Sequence, residues 1–259
     1  MSDRSPVLTE DHGPVRILKM DLPDKRNALV IELRDALVAA VQAAYDDRAV
    51  RAVILTGTGK NFCAGGDLEG LPTKDPLGTR ARLGVSYGLV RMLASGSKPV
   101  IAAVNGNAFG AGLSLAMACD YVVGCTQTRF CTAFSKVGLM ADLGLAWTLS
   151  RRLGQGELRR QLMCAPVIEG SDAARRGMVD LFVSEDGKLL DEAISIAGDF
   201  AAAPPVSVAL TKSLLARGGS LDDVLSAELT SQCLLFSSAD YEEGRRAFFE
   251  RRAPDFEGY

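Results

Sequence analysis

Residues 100–120 read VIAAVNGNAFGAGLSLAMACD, and the rest of the 259-residue chain is organised around this stretch. Val100–Val104 is a continuous apolar run with the length and composition of a buried strand. Asn105-Gly106 breaks that run, and Gly110-Ala111-Gly112 opens a second apolar segment over residues 113–119. Ser114 is its only polar residue, so the segment predicts a helix buried on all sides. A buried helix start leaves backbone N–H groups without partners and carries a partial positive charge. Glycine at 110 and 112 leaves space for a ligand to approach the main chain. The stretch therefore reads as a backbone site for a negative or strongly polarised oxygen. The competing reading is a glycine turn between two core elements.

A second glycine turn decides between them. FCAGGDL, residues 62–68, also follows an apolar strand, at residues 52–56. Two backbone donors from separate strand-to-helix turns are what an oxyanion hole requires. Together, FCAGGDL and AAVNGNAFGAGLSLAMACD resemble the enoyl-CoA hydratase/isomerase (crotonase) superfamily. The resemblance spans nearly the whole chain, taking in Asn27-Ala28-Leu29 near the start and AFFERRAPDF at residues 247–256. It is specific to the superfamily and not to one reaction.

What the resemblance implies is concrete. The fold would be α/β, a spiral of strand–strand–helix units over residues 1–200 holding an acyl-CoA site. A helical region over residues 201–259 would mediate assembly into a trimer or a dimer of trimers. Matched by motif, the donors to the thioester oxygen are Gly66 and Ala111. The CoA moiety, part of the substrate and not a separate cofactor, falls to Lys25, Arg26, Ala28, Ala64, Gly65, Asp67 and Leu68, with Arg251 contributed by a neighbouring subunit. Lys25 and Arg26 also qualify on charge, because phosphates need positive partners on an acidic protein. Asp67 has the simpler alternative of a helix cap or turn-stabilising residue. Ser114, Phe134 and Leu139 are expected around the acyl group.

The family's hydratases use two glutamates to position and activate water, and those positions here hold Ser114 and Phe134. Neither is a carboxylate, which counts against hydration. Asp142, in GLMADLG, matches a catalytic aspartate of the family's dienoyl-CoA isomerases. Flanked by Met140, Ala141 and Leu143, it is expected to have a raised pKa and to act as a base near neutral pH. Its structural alternative is N-cap of a helix starting at Leu143. Three functions stay open on these residues: a double-bond isomerase using Asp142, a hydratase with a displaced water-activating group, and a non-catalytic acyl-CoA binder.

Composition removes other classes. Net charge is −3 with no dominant basic stripe, so nucleic acid is not an expected partner. The opening residues 1–11 are polar and no apolar run approaches the ~20 residues of a membrane span. Six cysteines without a CxxC pair predict free thiols, and with them a cytoplasmic protein. The single histidine, His12, beside Gly13 in a predicted hairpin turn, leaves no zinc site and no Ser-His-Asp triad. Thr56-Gly57-Thr58-Gly59-Lys60 lacks the first glycine and the closing Ser/Thr of a phosphate loop. The glycines at 106, 110 and 112 miss the dinucleotide spacing. Ser114 lacks the closing glycine of a nucleophile elbow.

Periodicity predicts strands at 6–10, 15–21, 52–56, 121–124, 129–132 and 179–183. Helices are predicted at 30–45, 80–93, 143–153, 155–163, 189–201, 205–217, 221–236 and 239–251. Residues 57–66 read as a loop, and residues 71–76, with two prolines, as a loop or lid outside the core.

Overall fold

The computed structural model describes residues 5–68, 70, 75–185 and 187–258. Among these described residues, ten strands form two sheets. In the larger, the order is β1 (Val7–His12), β2 (Val15–Met20), β3 (Ala52–Gly57), β5 (Val100–Val104), β7 (Tyr121–Cys125) and β10 (Leu181–Val183). The β1–β2 hairpin is antiparallel and every other pair is parallel. The smaller sheet orders β4 (Asn61–Cys63), β6 (Asn107–Phe109), β8 (Arg129–Cys131) and β9 (Ile168–Glu169).

The central strands are apolar on both faces because both faces are covered, as parallel sheets require. Val53, Leu55, Val100, Ala102, Val104 and Val122 point into one core with Leu33, Leu37, Leu89 and Leu113. These last come from α1 (Ile31–Asp46), α2 (Pro76–Ser95) and α3 (Ala111–Ala118). The alternate residues Ala52, Ile54, Ile101, Ala103 and Val123 pack against Leu189, Ala193 and Ala197 of α7 (Leu189–Ala201). The continuous runs in the sequence are thus alternating runs with two apolar partners.

The strand–strand–helix repeat implied by the resemblance is visible directly. β3, β5 and β7 each turn sharply into a short strand of the smaller sheet and then into a helix, α2, α3 or α4 (Leu145–Ser150). Polar side chains hold the turns. Asn105 Oδ1 accepts from Gly57 N (3.2 Å) while its Nδ2 donates to Gly59 O (3.0 Å). Thr128 Oγ1 donates to Val104 O (2.6 Å) and accepts from Cys125 N (2.7 Å).

Several expectations are corrected. β4 lies inside the stretch read as a loop and β6 between Gly106 and Gly110, where no element was assigned, because three-residue strands carry too little alternation to register. β9 and α6 (Gly170–Arg175) were missed for the same reason of length. The predicted lid at 71–76 resolves in part. Asp75 caps α2, accepting from Gly78 N at 2.9 Å, and Pro76 is the first residue of that helix, where its missing N–H costs nothing. Residues 71–74 lie outside the described residues. All six cysteines are free, and four of them are buried.

Beyond α7 the chain is helical: α8 (Pro205–Arg217), α9 (Leu221–Leu235) and α10 (Ala239–Glu250), following α5 (Gln155–Cys164) earlier in the chain. One ion pair staples α8 to the core. Lys212 Nζ, with its side chain 5% exposed, reaches Asp120 Oδ2 at 2.6 Å and Lys98 O at 2.9 Å. Asp120 Oδ2 also accepts from Val100 N (2.7 Å), tying the staple to the start of β5. Burial pushes the Asp120 carboxyl up, and Lys212 opposes that shift.

Replacing Lys212 with Met leaves Asp120 buried and uncompensated. Denaturant unfolding at neutral pH should show a loss of about 3 kcal/mol. Without Lys212 the carboxyl rises further, so the deficit should shrink as pH falls and Asp120 takes up a proton. A pH-independent deficit would mean that packing alone was lost.

Candidate functional site

The two glycine turns meet. Gly65 has φ +107°, and a Cβ there would stand 2.9 Å from Phe109 O. Gly110 has φ +49° and ψ −120°, a conformation open only to glycine, and a Cβ on it would lie 3.9 Å from Gly65 Cα. At Gly112 a Cβ would sit 2.1 Å from Cys63 O. The space expected there for a ligand is therefore filled by the other turn. Glycine at 112 serves packing.

This contact brings two backbone donors onto one surface. Gly66 N and Ala111 N donate in no hydrogen bond among the described residues, and both residues line one cavity of about 630 Å³. Ala111 opens α3, whose eight residues are all buried, so its free N–H carries the helix's positive end into a water-poor place. Gly65 itself is clamped, its carbonyl accepting from Leu29 N at 2.8 Å. Ala64 N donates to Arg26 O at 3.1 Å. Behind them Asn27, fully buried and at φ +54°, donates through Nδ2 to Asn61 O and Thr58 O and accepts from Leu22 N. Asn27 was quoted only as part of a motif; its work is to fasten the segment before α1 to the turn after β3.

The cavity walls come from five places, one of them the second turn with Gly110 and Ala111. α2 offers Thr79, Arg82, Leu83, Ser86 and Tyr87, one helical face at spacings of three and four. Leu29, Ile31 and Arg34 come from the start of α1, Ala64 to Gly66 and Leu68 from the first turn. Ala133, Phe134, Val137, Leu139 and Met140 to Leu143 complete it. Phe134 and Leu139 line the cavity. Ser114 does not: it is fully buried behind the wall, and its hydroxyl is within reach of Gly110 O (3.3 Å) and Asp142 O (3.2 Å). It positions the Asp142 segment against α3.

Asp142 is the one carboxylate among the described lining residues. It does not cap a helix. α4 begins at Leu145 with Gly144 as its N-cap, because Leu143 (φ +51°) and Gly144 (φ +72°) both adopt left-handed conformations and delay the helix. Asp142 Oδ1 is buried with no hydrogen-bond partner. Burial raises its pKa above the usual carboxylate value, and Arg82 pulls in the other direction.

The expected CoA contacts divide. Ala64, Gly65 and Leu68 line the cavity, whereas Ala28 and Asp67 do not. Lys25 and Arg26 are exposed on a short 3-10 turn, adjacent through Arg26 O to Ala64. Arg251 is exposed at the C-terminal end of α10 and is not part of the cavity wall. Sequence reasoning missed Arg34, Arg82 and Tyr87. Arg34 stands on α1 and Arg82 and Tyr87 on α2, two helices to which the motifs assign no site residue.

The raised Asp142 pKa has a sign. A proton is favoured on the folded carboxyl, so folding stability should fall as pH rises from the ordinary carboxylate range through the raised value. Asp142→Asn removes that loss. Its melting temperature should exceed wild type by a few degrees at neutral pH and converge with it in acid. A gap that does not vary with pH would mean the carboxylate is not desolvated.

Comparison with known proteins gives one family. Residues 10–259 match the family described as enoyl-CoA hydratase/isomerase. The chain is 35% identical to the 1,2-epoxyphenylacetyl-CoA isomerase of Escherichia coli K12, covering 97% of this chain and 98% of that one. It is 32% identical to the crotonyl-CoA hydratase of Syntrophomonas wolfei, covering 96% and 97%. Among solved structures, an enoyl-CoA hydratase from Polaromonas sp. JS666 superposes with a TM-score of 0.90 at 33% identity, over 96% of this chain and 99% of that one.

Proposed function

This chain belongs to the enoyl-CoA hydratase/isomerase family, and on that premise we propose that it moves a proton on an acyl-CoA thioester, shifting a double bond, with Asp142 as the base. The observation that carries this reading is that Asp142 is the single carboxylate among the described lining residues, with an unpartnered buried oxygen. The carboxylate takes a proton from the acidic carbon conjugated to the thioester. The electron pair moves into the thioester carbonyl, and the oxyanion accepts hydrogen bonds from Gly66 N–H and Ala111 N–H. Protonated Asp142 then returns the proton to a different carbon and is regenerated. A raised pKa suits both halves, because the group must give the proton back.

Hydration needs a second group to orient water. Phe134 cannot hold a proton and Ser114 stands behind the wall, so both positions that serve hydratases are empty of carboxylate here. Several relatives are named hydratases, a crotonyl-CoA hydratase among them, and crotonyl-CoA is accordingly the discriminating substrate. Lys25 and Arg26, beside Ala64, are suited to the CoA phosphates, with Arg251 reaching them from a neighbouring subunit. Self-association is supported by α9, none of whose residues is buried in the isolated chain, with Leu221, Leu225, Leu229 and Leu234 exposed. Phe248 and Phe249 on α10 extend the apolar surface.

Asp142→Asn keeps shape and removes the base. Deuterium exchange at the acidic carbon of an enoyl-CoA should fall ~100-fold or more, with acyl-CoA binding retained. Exchange at the wild-type rate would remove Asp142 from the chemistry, and no exchange by wild type over a broad substrate panel would favour a non-catalytic binder. Ala111→Pro places proline at the first position of a helix, which tolerates it, yet deletes one donor. Turnover should drop ~100 to 1000-fold, and full turnover would overturn the oxyanion assignment. Crotonyl-CoA hydration by wild type at ~1 per second or faster would favour the hydratase reading.

A further inference from the structure

Three buried side-chain polar atoms among the described residues have no hydrogen-bond partner, and two of them, Arg82 Nε and Asp142 Oδ1, belong to the wall of the same cavity. Buried polar atoms are nearly always satisfied in folded proteins, so two orphans on residues of one cavity wall mark a polar place that no described residue completes. The two do not satisfy each other: no ion pair joins Arg82 and Asp142 among the described residues.

The neighbouring arginine shows the contrast. Arg34 also faces the cavity, but each nitrogen of its head group already has a partner. Its Nε and Nη2 pair with Asp35 (2.9 and 2.8 Å), and its Nη1 donates to Arg82 O (3.2 Å). Arg34 thereby fixes the backbone of Arg82, while the Arg82 guanidinium makes no hydrogen bond to any described residue. Most of the surrounding wall is apolar, from Leu29, Leu83, Phe134 and Leu143. A hydrocarbon chain filling this space would strip water from the guanidinium and return nothing. An oxygen on the acyl group would restore the lost hydrogen bonds, and a guanidinium accommodates a carboxylate or keto oxygen well.

We propose that Arg82 is a specificity-determining residue of this cavity, binding an oxygen acceptor carried on the acyl group, so that the preferred substrates are oxygenated acyl-CoA thioesters and not plain hydrocarbon ones. The inference rests on the acyl-CoA reading of the cavity. It also explains why a cation stands near the group read as the base: Arg82 both seats the oxygen and tempers the desolvation of Asp142.

The test uses saturated thioesters, which bind without reacting, so Asp142 chemistry does not enter. Calorimetry would compare hexanoyl-CoA with adipyl-CoA, which has a terminal carboxylate in place of the methyl group. It would also compare pentanoyl-CoA with levulinyl-CoA, which adds a keto oxygen. Wild type should bind the oxygenated member of at least one pair ~10-fold more tightly or better. A preference confined to adipyl-CoA identifies an anionic acceptor, and a preference in both pairs a neutral one. Arg82→Met should bring the ratio to about one, and Arg82→Lys should recover part of it, with melting curves confirming both folds. A wild-type ratio near one in both pairs overturns the assignment without any variant, as does a preference that survives in Arg82→Met. If wild type binds none of the four thioesters, the acyl-CoA reading itself falls.

Discussion

The constraint on which this molecule depends is the direct backbone contact between its two glycine turns. The carbonyl of Cys63 occupies the volume a side chain at 112 would need, and the carbonyl of Phe109 does the same at 65. Protein interiors are close-packed, so a single added methyl at either place must push one turn off the other. Both unpartnered N–H groups would move with it. The same device recurs at Gly106, pressed against Lys60 O, where β5 leaves the larger sheet. Three close approaches thus knit successive repeats together, and the cavity is a by-product of how they fit.

Around that contact the molecule spends polar side chains on fastening. Asn27, Asn105 and Thr128 each bridge a turn to a strand of another repeat, and Ser114 ties α3 to the segment carrying Asp142. These residues are satisfied. Arg82 and Asp142 are not, and the backbone just past Asp142 is held in a left-handed conformation at Leu143. Unsatisfied polar atoms and left-handed non-glycine residues cost stability and collect where a site must be ready for something that arrives later. The two large cores on either face of the sheet offset that cost.

The C-terminal helices pose a different problem. α7 belongs to the core, covering a full sheet face with small residues at four-residue spacing. Lys212 is the one buried residue of α8, and α9 has none. A helix with leucines at 221, 225 and 229 all exposed has an apolar stripe and no surface of its own chain to place it on.

Sequence alone determined what local pattern controls. Val100–Val104 and residues 52–56 have the length and composition of buried strands, and the glycine motifs with the run after Gly112 located both turns and carried the resemblance to the superfamily. Asp142 came from the resemblance, as the position that matches an aspartate of the family's dienoyl-CoA isomerases. What the tertiary structure decided is whatever depends on long-range contact. Gly112 makes room for Cys63 O and not for a ligand, a distinction invisible without both turns in place. Ser114 belongs behind the wall because its helix is packed on every side, so no periodicity reveals which face meets the cavity. Asp142 is no cap because Leu143 and Gly144 reverse the chain first. Arg82 joined the site only through α2 folding against the cavity, 29 residues before Ala111 and 60 before Asp142 in the chain. Strand and helix follow from neighbouring residues; a site follows from which repeats touch, and that is settled by packing.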